Sequence, residues 1–282
     1  MITGLDHLTL VVDDIDAAVA VHETLLGRRC VWRAAADGMA TARLQLGGAA
    51  LVIVAPSGTG GGGDRLRARL ASSGAGLAGL AFAVPDLDAA TTLLARRALP
   101  ASPAVDVRPT ADTTAGPPAL SFAGVEPAAT HGVPMILVQR GDEPILSPLA
   151  AGVDEAAAMS GLDHVVIRTP NPDRAVALLG GRLGLDLRLD RANPQWGARQ
   201  LFFRCGQSVV EVVHRLDRGV GDSPDSLWGL AWRVPDADAA HARLVAAGID
   251  VDEPRAGRRP GTRVFTIRDR RAGAPALVLA RV

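Results

Sequence analysis

The chain opens with a short segment of alternating side chains, which is followed by a helical pattern. Over residues 7–12, leucine or valine occupies every second position, a period of two that is typical of a half-buried β-strand. Asp13 or Asp14 then offers a side chain that can cap the N-terminus of a helix. The Ala-rich segment that follows predicts a helix through residues 17–26, which ends at Gly27.

The same order of elements returns three more times along the chain. Each time, a strand pattern leads into a turn with Asp, Asn or Pro and then into an Ala-rich helix. The second helix follows the turn at Pro85-Asp86 and ends near Arg97. The third follows Pro170-Asn171-Pro172-Asp173 and ends near Gly180-Gly181, and the fourth follows Pro235-Asp236 and ends at Gly248. Further strand patterns follow the helices, for example at residues 29–33, 41–46, 50–55, 185–190, 199–204 and 208–214. Each unit is therefore predicted to be βαβββ.

Three blocks of the first half recur in the same order in the second half. Residues 4–7 match 161–164, residues 79–86 match 229–236, and residues 132–140 match 273–281. Matched blocks in one order indicate a tandem duplication. We therefore expect an α+β fold in which four βαβββ modules pair into two tandem incomplete-barrel domains. The expected domains are residues 1–140 and 160–282, joined by a linker at 141–159. The glycine run Gly60–Gly63 is interpreted as a linker between units.

Composition narrows the possible partners and surroundings. Lys+Arg and Asp+Glu are 30 each, so the chain has no net charge, which argues against a nucleic-acid surface. All the basic residues are arginines, which we attribute to a GC-rich genome rather than to anion binding. The apolar runs are too short for a membrane span, and the N-terminus does not have the pattern of a signal peptide. We expect a cytoplasmic protein with no membrane or nucleic-acid partner, either a monomer or a homodimer.

The chain resembles the vicinal oxygen chelate superfamily in three features. These are the paired βαβββ units, the Asp-His dipeptide in the first strand of each half, and the segment GLAFAVPDLDAA at residues 79–90. That superfamily includes glyoxalase I, methylmalonyl-CoA epimerase, extradiol dioxygenases, and the bleomycin and fosfomycin resistance proteins. The resemblance implies that two units form an incomplete barrel around a divalent metal. It also implies that the first and last strands of the units supply the ligands of that metal, which acts as a Lewis acid on two neighbouring substrate oxygens.

Most of the ligand positions that the resemblance implies are occupied by residues that cannot bind a metal. The first-strand positions fall on His7, Gly79, His164 and Gly229, and the last-strand positions on Val52, Ile136, Glu211 and Leu277. Catalytic metal sites usually have about three protein ligands. Since neither half reaches three, we expect either no cofactor or a divalent metal of unknown identity. A combined set of His7, His164 and Glu211 would form only if the first and third units faced each other.

Glu211 is the most informative candidate because its strand is otherwise apolar. A buried lone carboxylate is costly, so Glu211 should bind a metal, act as an acid or base, or pair with His164 or Arg233. His7 and His164 fall on the cleft side of their strands. Each either contacts a ligand or hydrogen-bonds a neighbour. Trp196 and Trp228 flank the cleft strands and would stack on a flat ligand or pack in the core.

Three functions fit these residues. The first is a glyoxalase- or bleomycin-resistance-like protein that binds a small organic molecule in a barrel cleft, with the family metal site largely lost. The second is a divalent-metal-dependent lyase, isomerase or dioxygenase that uses His164 and Glu211 as catalytic residues. The third is a vestigial structural or regulatory module. The sequence leaves open whether the protein is an enzyme, and it does not name the ligand.

Overall fold

The structure is a computed structural model that describes residues 1–107, 119–141 and 145–281. It contains two eight-stranded sheets, each of which curls into an incomplete barrel, and the predicted α+β fold is confirmed. The strands of the first sheet are β1 (Gly4–Val11), β2 (Trp32–Ala36), β3 (Met39–Gln45), β4 (Ala50–Pro56), β5 (Gly76–Ala83), β6 (Val105–Val107), β7 (Leu120–Gly124) and β8 (Met135–Arg140). Those of the second sheet are β9 (Gly161–Arg168), β10 (Asp186–Asn193), β11 (Ala198–Cys205), β12 (Ser208–Arg215), β13 (Ser226–Arg233), β14 (Arg255–Ala256), β15 (Thr262–Ile267) and β16 (Ala276–Arg281).

The two sheets have the same topology. Their strand orders are β2-β3-β4-β1-β5-β8-β7-β6 and β10-β11-β12-β9-β13-β16-β15-β14. Consecutive units join through their first strands, since β1 pairs antiparallel with β5 and β9 with β13. Within a unit the first and last strands are parallel neighbours, as for β1 with β4 and β9 with β12. The alternative in which the first and third units share one barrel is therefore wrong.

Side-chain caps explain where the helices begin. The helices are α1 (Ile15–Leu26), α2 (Gly61–Ser73), α3 (Leu87–Arg96), α4 (Pro172–Ala175) and α5 (Ala237–Ala246), and α4 continues into a π-helical segment at Val176–Arg182. Asp14, Asp86 and Asp236 each accept hydrogen bonds from backbone N–H groups of the first helical turn. Gly27 ends α1 in the left-handed region, with φ of 67°. These caps confirm the helix signals of the repeated units.

The glycine run Gly60–Gly63 is not a linker, and this prediction was wrong. Its last three residues form the first turn of α2, which contacts β3 and β4. A Cβ atom on Gly63 would lie 2.3 Å from the carbonyl oxygen of Gly38 in the turn between β2 and β3. Since real Cβ atoms do not approach so closely, the glycines allow the helix backbone to pack directly on this turn.

One hydrophobic core extends through both halves of the chain. Phe82, Phe203 and Phe265 are fully buried in it, and Trp232 is also buried. Arg28 is fully buried as well, and it donates hydrogen bonds to the carbonyl oxygen atoms of Ser147 and Met159, within the predicted linker. The segment that joins the halves is thus tied to the core by a charged side chain.

Among the helices that the structure describes, none has both the length and the apolar character needed to cross a bilayer.

Candidate functional site

A cleft of about 1580 Å³ lies on the concave side of the second sheet. All eight strands of this sheet contribute side chains to its wall, so the cleft is the interior of the incomplete barrel. Seven residues that the sequence singled out line it, namely His164, Glu211, Arg233, Trp196, Trp228, Gly229 and Leu277. The other four belong to the first sheet, and these are His7, Val52, Gly79 and Ile136.

His164 and Glu211 come together because their strands are parallel neighbours. Val209 lies opposite His164 in the register of β9 and β12, which places Glu211 two residues further along the sheet. The His164 Nε2 and Glu211 Oε2 atoms are 3.4 Å apart. Gln200 on β11 holds the other carboxylate oxygen, since its Nε2 donates to Glu211 Oε1 over 2.7 Å. The pairing of Glu211 with His164 is therefore present, and Arg233 instead donates to the carbonyl oxygen of Gln207.

Asp163 fixes the imidazole of His164 from the other side. The register of β9 and β13 skips Asp163, and this β-bulge lets two consecutive side chains meet. Asp163 Oδ2 lies 2.9 Å from His164 Nδ1. Burial alone would raise the pKa of Asp163, but the hydrogen bond with His164 and the charges of Arg233 and Arg281 lower it below its usual value. The ionised carboxylate therefore favours the proton on Nδ1, so that Nε2 faces the cleft.

The donor set around this pair is smaller than that of a usual catalytic metal site. Among the residues that the structure describes, no three His, Cys, Asp or Glu side chains are grouped to hold a metal ion. Gly229 cannot be replaced by a ligand side chain without a backbone shift, because a Cβ there would lie 2.7 Å from the carbonyl oxygen of Pro275. Two donors, His164 and Glu211, fall short of the three that catalytic sites usually have.

His7 lies in a buried charged cluster in the first sheet, apart from the second cleft. Its Nδ1 is 2.5 Å from Oδ1 of Asp6, and Asp6 also accepts hydrogen bonds from Arg43 and Arg140. The combination of His7 with His164 and Glu211 is therefore wrong, because the three side chains belong to two different barrels. Burial lowers the pKa of His7 below its usual value, although Asp6 opposes this shift.

Asp6 stays ionised inside the protein. Burial would raise its pKa, but the hydrogen bonds from Arg140 and His7 and the charge of Arg43 outweigh burial and hold the pKa far below its usual value. Burial in turn lowers the pKa of Arg43 to about 10, against the attraction of Asp6. The cluster is internally paired, which favours a structural role in this half.

The remaining positions in the first half are apolar or closed. Val52, the counterpart of Glu211, is buried, with 7% of its surface exposed. A Cβ on Gly79 would lie 3.3 Å from the carbonyl oxygen of Pro134. Ile136 is partly buried on β8. The polar cleft chemistry predicted for the second half is thus not repeated in the first.

Two tryptophans stand at the cleft with their rings partly open to solvent. Trp196 is 42% and Trp228 40% exposed, so core packing does not account for either of them. The guanidinium of Arg168 lies 4.2 Å from the ring centre of Trp228, and that of Arg258 lies 4.3 Å from that of Trp196. Sequence reasoning missed Arg168, although it is four residues after His164 and therefore on the same side of the strand.

Comparisons with known proteins agree with this architecture. Two family models described as the Glyoxalase/Bleomycin resistance protein/Dioxygenase superfamily match residues 4–133 and 163–266. No curated protein matches in sequence. The chain is similar in structure to a mutant of 4-hydroxymandelate synthase from Streptomyces coelicolor, with a TM-score of 0.72 and 14% identity over 100% of this chain and 93% of that one.

Two further solved structures show the same likeness. The Mn(II)-bound glyoxalase from Novosphingobium aromaticivorans has a TM-score of 0.67 and 14% identity over 99% of this chain and 82% of that one. The 2,3-dioxygenase LapB from Pseudomonas sp. KL28 has a TM-score of 0.66 and 15% identity over 99% of this chain and 93% of that one. At such identities the likeness shows a shared fold and not a shared reaction. The chain belongs to the Glyoxalase/Bleomycin resistance protein/Dioxygenase superfamily, and each of its halves matches that superfamily.

Proposed function

We propose that the C-terminal cleft binds a small organic molecule and that it does so without a resident transition metal. The observation that carries this proposal is the wall of the cleft itself. It combines a fixed polar pair, His164 and Glu211, with the open rings of Trp196 and Trp228 around a volume of about 1580 Å³. Sites of small ligands typically have this mixture of apolar surface and a few fixed polar groups.

The polar pair is held in place before any ligand arrives. Asp163 orients His164, and Gln200 orients Glu211, so each functional side chain has one partner outside the pair. Side chains fixed in this way lose little conformational entropy on binding, which favours affinity. His164 and Glu211 would then form hydrogen bonds with the ligand, while Trp196 and Trp228 would stack on its flat or apolar part.

A second candidate function is a metal-dependent lyase, isomerase or dioxygenase that uses the same pair. One observation favours it, namely that Asp163 contacts the Nδ1 atom of His164 and leaves Nε2 facing the cleft. Histidines that bind metals are usually oriented by a carboxylate in this manner. In such an enzyme, Glu211 would be placed to move a proton next to a carbonyl group of the substrate. A vestigial role fits only the first half, where the charged cluster is internally paired.

The test is a thermal-shift screen of the full chain against small aromatic and carbonyl compounds after EDTA treatment. A ligand at 100 times its Kd stabilises the folded state by about 2.7 kcal/mol, which is readily measured as a rise in Tm. We expect some of these compounds to raise the Tm in the absence of added metal. Hits that appear only after addition of Mn(II), Fe(II) or Zn(II), or about one transition metal per chain in protein purified without chelator, would favour the enzyme.

The substitution Glu211→Gln tests whether the compounds found in the screen bind in the C-terminal cleft. The substitution removes the charge but preserves an oxygen that can accept the hydrogen bond from Gln200. We expect it to weaken the Kd of cleft ligands by about tenfold or more, because a charged hydrogen-bonding group contributes about 1.5–3 kcal/mol. The matched control is Glu253→Gln, since Glu253 is exposed and does not line the cleft. Equal effects of the two substitutions would contradict a role of Glu211 in binding.

A further inference from the structure

The charge of the cleft differs sharply from that of the chain. Nine arginines line it against the three carboxylates of Asp163, Glu211 and Asp217, which is an excess of six positive charges. The whole chain, by contrast, has 30 basic and 30 acidic residues. An Arg-rich composition spreads arginines over the surface but does not separate them from acidic residues. The excess therefore belongs to the cleft.

Three of these arginines meet at one end of the cleft. Arg168 is the last residue of β9, Arg215 the last of β12, and Arg218 lies in the loop that follows β12. Burial and the nearby charges of Arg215 and Arg218 lower the pKa of Arg168, so the three guanidinium groups repel one another. Arg215 pairs with Asp217, whereas Arg168 and Arg218 form no ion pair with any described residue. Guanidinium groups that repel one another are stabilised by a bound anion.

The neighbouring Trp228 is placed at this end by a β-bulge. In the register of β9 and β13, Leu227 lies opposite Ile167 and Gly229 opposite Val166, so Trp228 has no partner. A bulge re-aims a side chain that regular alternation would place differently. The ring is thereby brought under the guanidinium of Arg168, 4.2 Å from its centre. One end of the cleft thus joins a flat apolar surface to a group of cations.

The duplicated first half shows that the fold does not require these residues. By register, Arg168 corresponds to Val11, Arg215 to Pro56 and Trp228 to Ala78. The first sheet forms the same strand order with these small or apolar residues. The cationic and aromatic end is therefore a property of the second cleft and not of the architecture, and a ligand explains it better than stability does.

We infer that the molecule bound in the C-terminal cleft carries an oxyanion, either a carboxylate or a phosphate ester, that binds to Arg168, Arg215 and Arg218 while its flat body lies against Trp228. This inference rests on the proposed function, and it adds the chemical class of the ligand. Guanidinium groups bind both oxyanions with paired, charge-assisted hydrogen bonds. Glu211 lies opposite Val166, two residues before Arg168 on β9, or about 7 Å further inside. The end of the ligand that reaches Glu211 should therefore not carry a second anionic group.

The experiment compares three compounds with one ring by isothermal titration calorimetry on the EDTA-treated full chain. Benzoate tests the carboxylate, phenyl phosphate tests the phosphate ester, and benzyl alcohol is the neutral control. We expect at least one anion to bind about tenfold or more tightly than the alcohol and to weaken as salt is added. The tighter of the two anions identifies the group that the cleft prefers.

Arg168→Gln should weaken the preferred anion by about tenfold or more, with little change for benzyl alcohol. Arg218→Gln is a second variant, and because Arg218 lies in a loop, we expect this substitution to leave the folded structure intact. Arg188→Gln is the matched control, because it removes one exposed charge of the same half outside the cleft. Anion binding that is equal in Arg168→Gln, Arg218→Gln and Arg188→Gln would overturn the inference.

The compounds also separate this inference from the proposed function. If benzyl alcohol binds as tightly as the anions and Trp228→Ala abolishes its binding, the cleft binds ligands but does not select anions. That result would overturn the inference alone. If none of the three compounds binds and the thermal-shift screen also yields no ligand, both the inference and the proposed function fail.

Discussion

The Nε2 atom of His164 and the Oε2 atom of Glu211 lie 3.4 Å apart on the wall of the C-terminal cleft. Both residues come from the third βαβββ unit, whose first and last strands are parallel neighbours. This pairing explains how positions 47 residues apart in the sequence reach one site. The first half has the same strand pairing, but the counterpart of Glu211 there is Val52, so His7 has no carboxylate partner on the last strand.

The buried charged cluster of the first half predicts a large effect of Asp6→Asn. Arg43 and Arg140 would lose their shared carboxylate while they remain largely buried. We expect a loss of about 3–5 kcal/mol in the free energy of unfolding, measured by urea denaturation at pH 7. Asp16→Asn is the control, because Asp16 pairs with Arg33 at the surface. That substitution should cost less than about 1 kcal/mol.

The same cluster predicts a pH dependence. The folded pKa of Asp6 lies below its usual value of 3.8, so its stabilising effect is complete above that pH and is lost as the pH falls toward the folded pKa. The difference in unfolding free energy between the wild type and Asp6→Asn should therefore be constant from pH 7 to about pH 5 and shrink below about pH 4. A difference that stays the same down to pH 3 would show that the charge of Asp6 is not responsible.

Gly229 and Gly79 form a matched pair of equivalent positions with different space around them. A Cβ on Gly229 would lie 2.7 Å from the carbonyl oxygen of Pro275, whereas on Gly79 the nearest atom, the carbonyl oxygen of Pro134, is 3.3 Å away. We expect Gly229→Ala to cost about 1–3 kcal/mol by overpacking against the backbone. Gly79→Ala should cost less, and urea denaturation of the two variants checks the order. The reverse order would contradict the close approach of β16 to β13.

Arg28 should contribute strongly to the contact between the halves. Its side chain is fully buried and donates to the carbonyl oxygen atoms of Ser147 and Met159, 3.0 and 2.7 Å away. Arg28→Met would leave these two carbonyl oxygens and the carboxylate of Glu155 without this donor, and we expect a loss of about 3 kcal/mol in unfolding free energy. The neighbouring, exposed Arg29 provides the control. Arg29→Met should change stability by less than about 0.5 kcal/mol, and similar losses for both would contradict the assignment.

Local signals made most of the fold predictable from the sequence. The caps at Asp14, Asp86 and Asp236 and the alternating strands depend on neighbouring residues only, and the duplication shows each signal more than once. The helix α2 was missed because a glycine run is usually flexible. Its formation depends on contact with the turn at Gly38, which is distant in sequence and which no local pattern reveals.

The site was predictable in part for the same reason. His164 and Glu211 stood out because polar residues in apolar strands are rare. Strict alternation would put the side chain of Asp163 on the face opposite to His164, and only the β-bulge brings the two together. Gln200 was missed because its contact with Glu211 depends on the register of β11 and β12. Arg168 was not recognised as a candidate binding residue, because a single arginine carries little information in so Arg-rich a chain.

The most direct test of the central claim uses the duplication as its own control. Backbone amide chemical shifts of the full chain are recorded by NMR with and without the tightest ligand from the thermal-shift screen. We predict that the amides of the C-terminal cleft, at Val166, Glu211 and Gly229, shift on binding. Their counterparts in the first half, at Thr9, Val52 and Gly79, should stay unchanged. Shifts confined to the first-half positions, or absent from both sets, would contradict the claim that the working cleft is the C-terminal one.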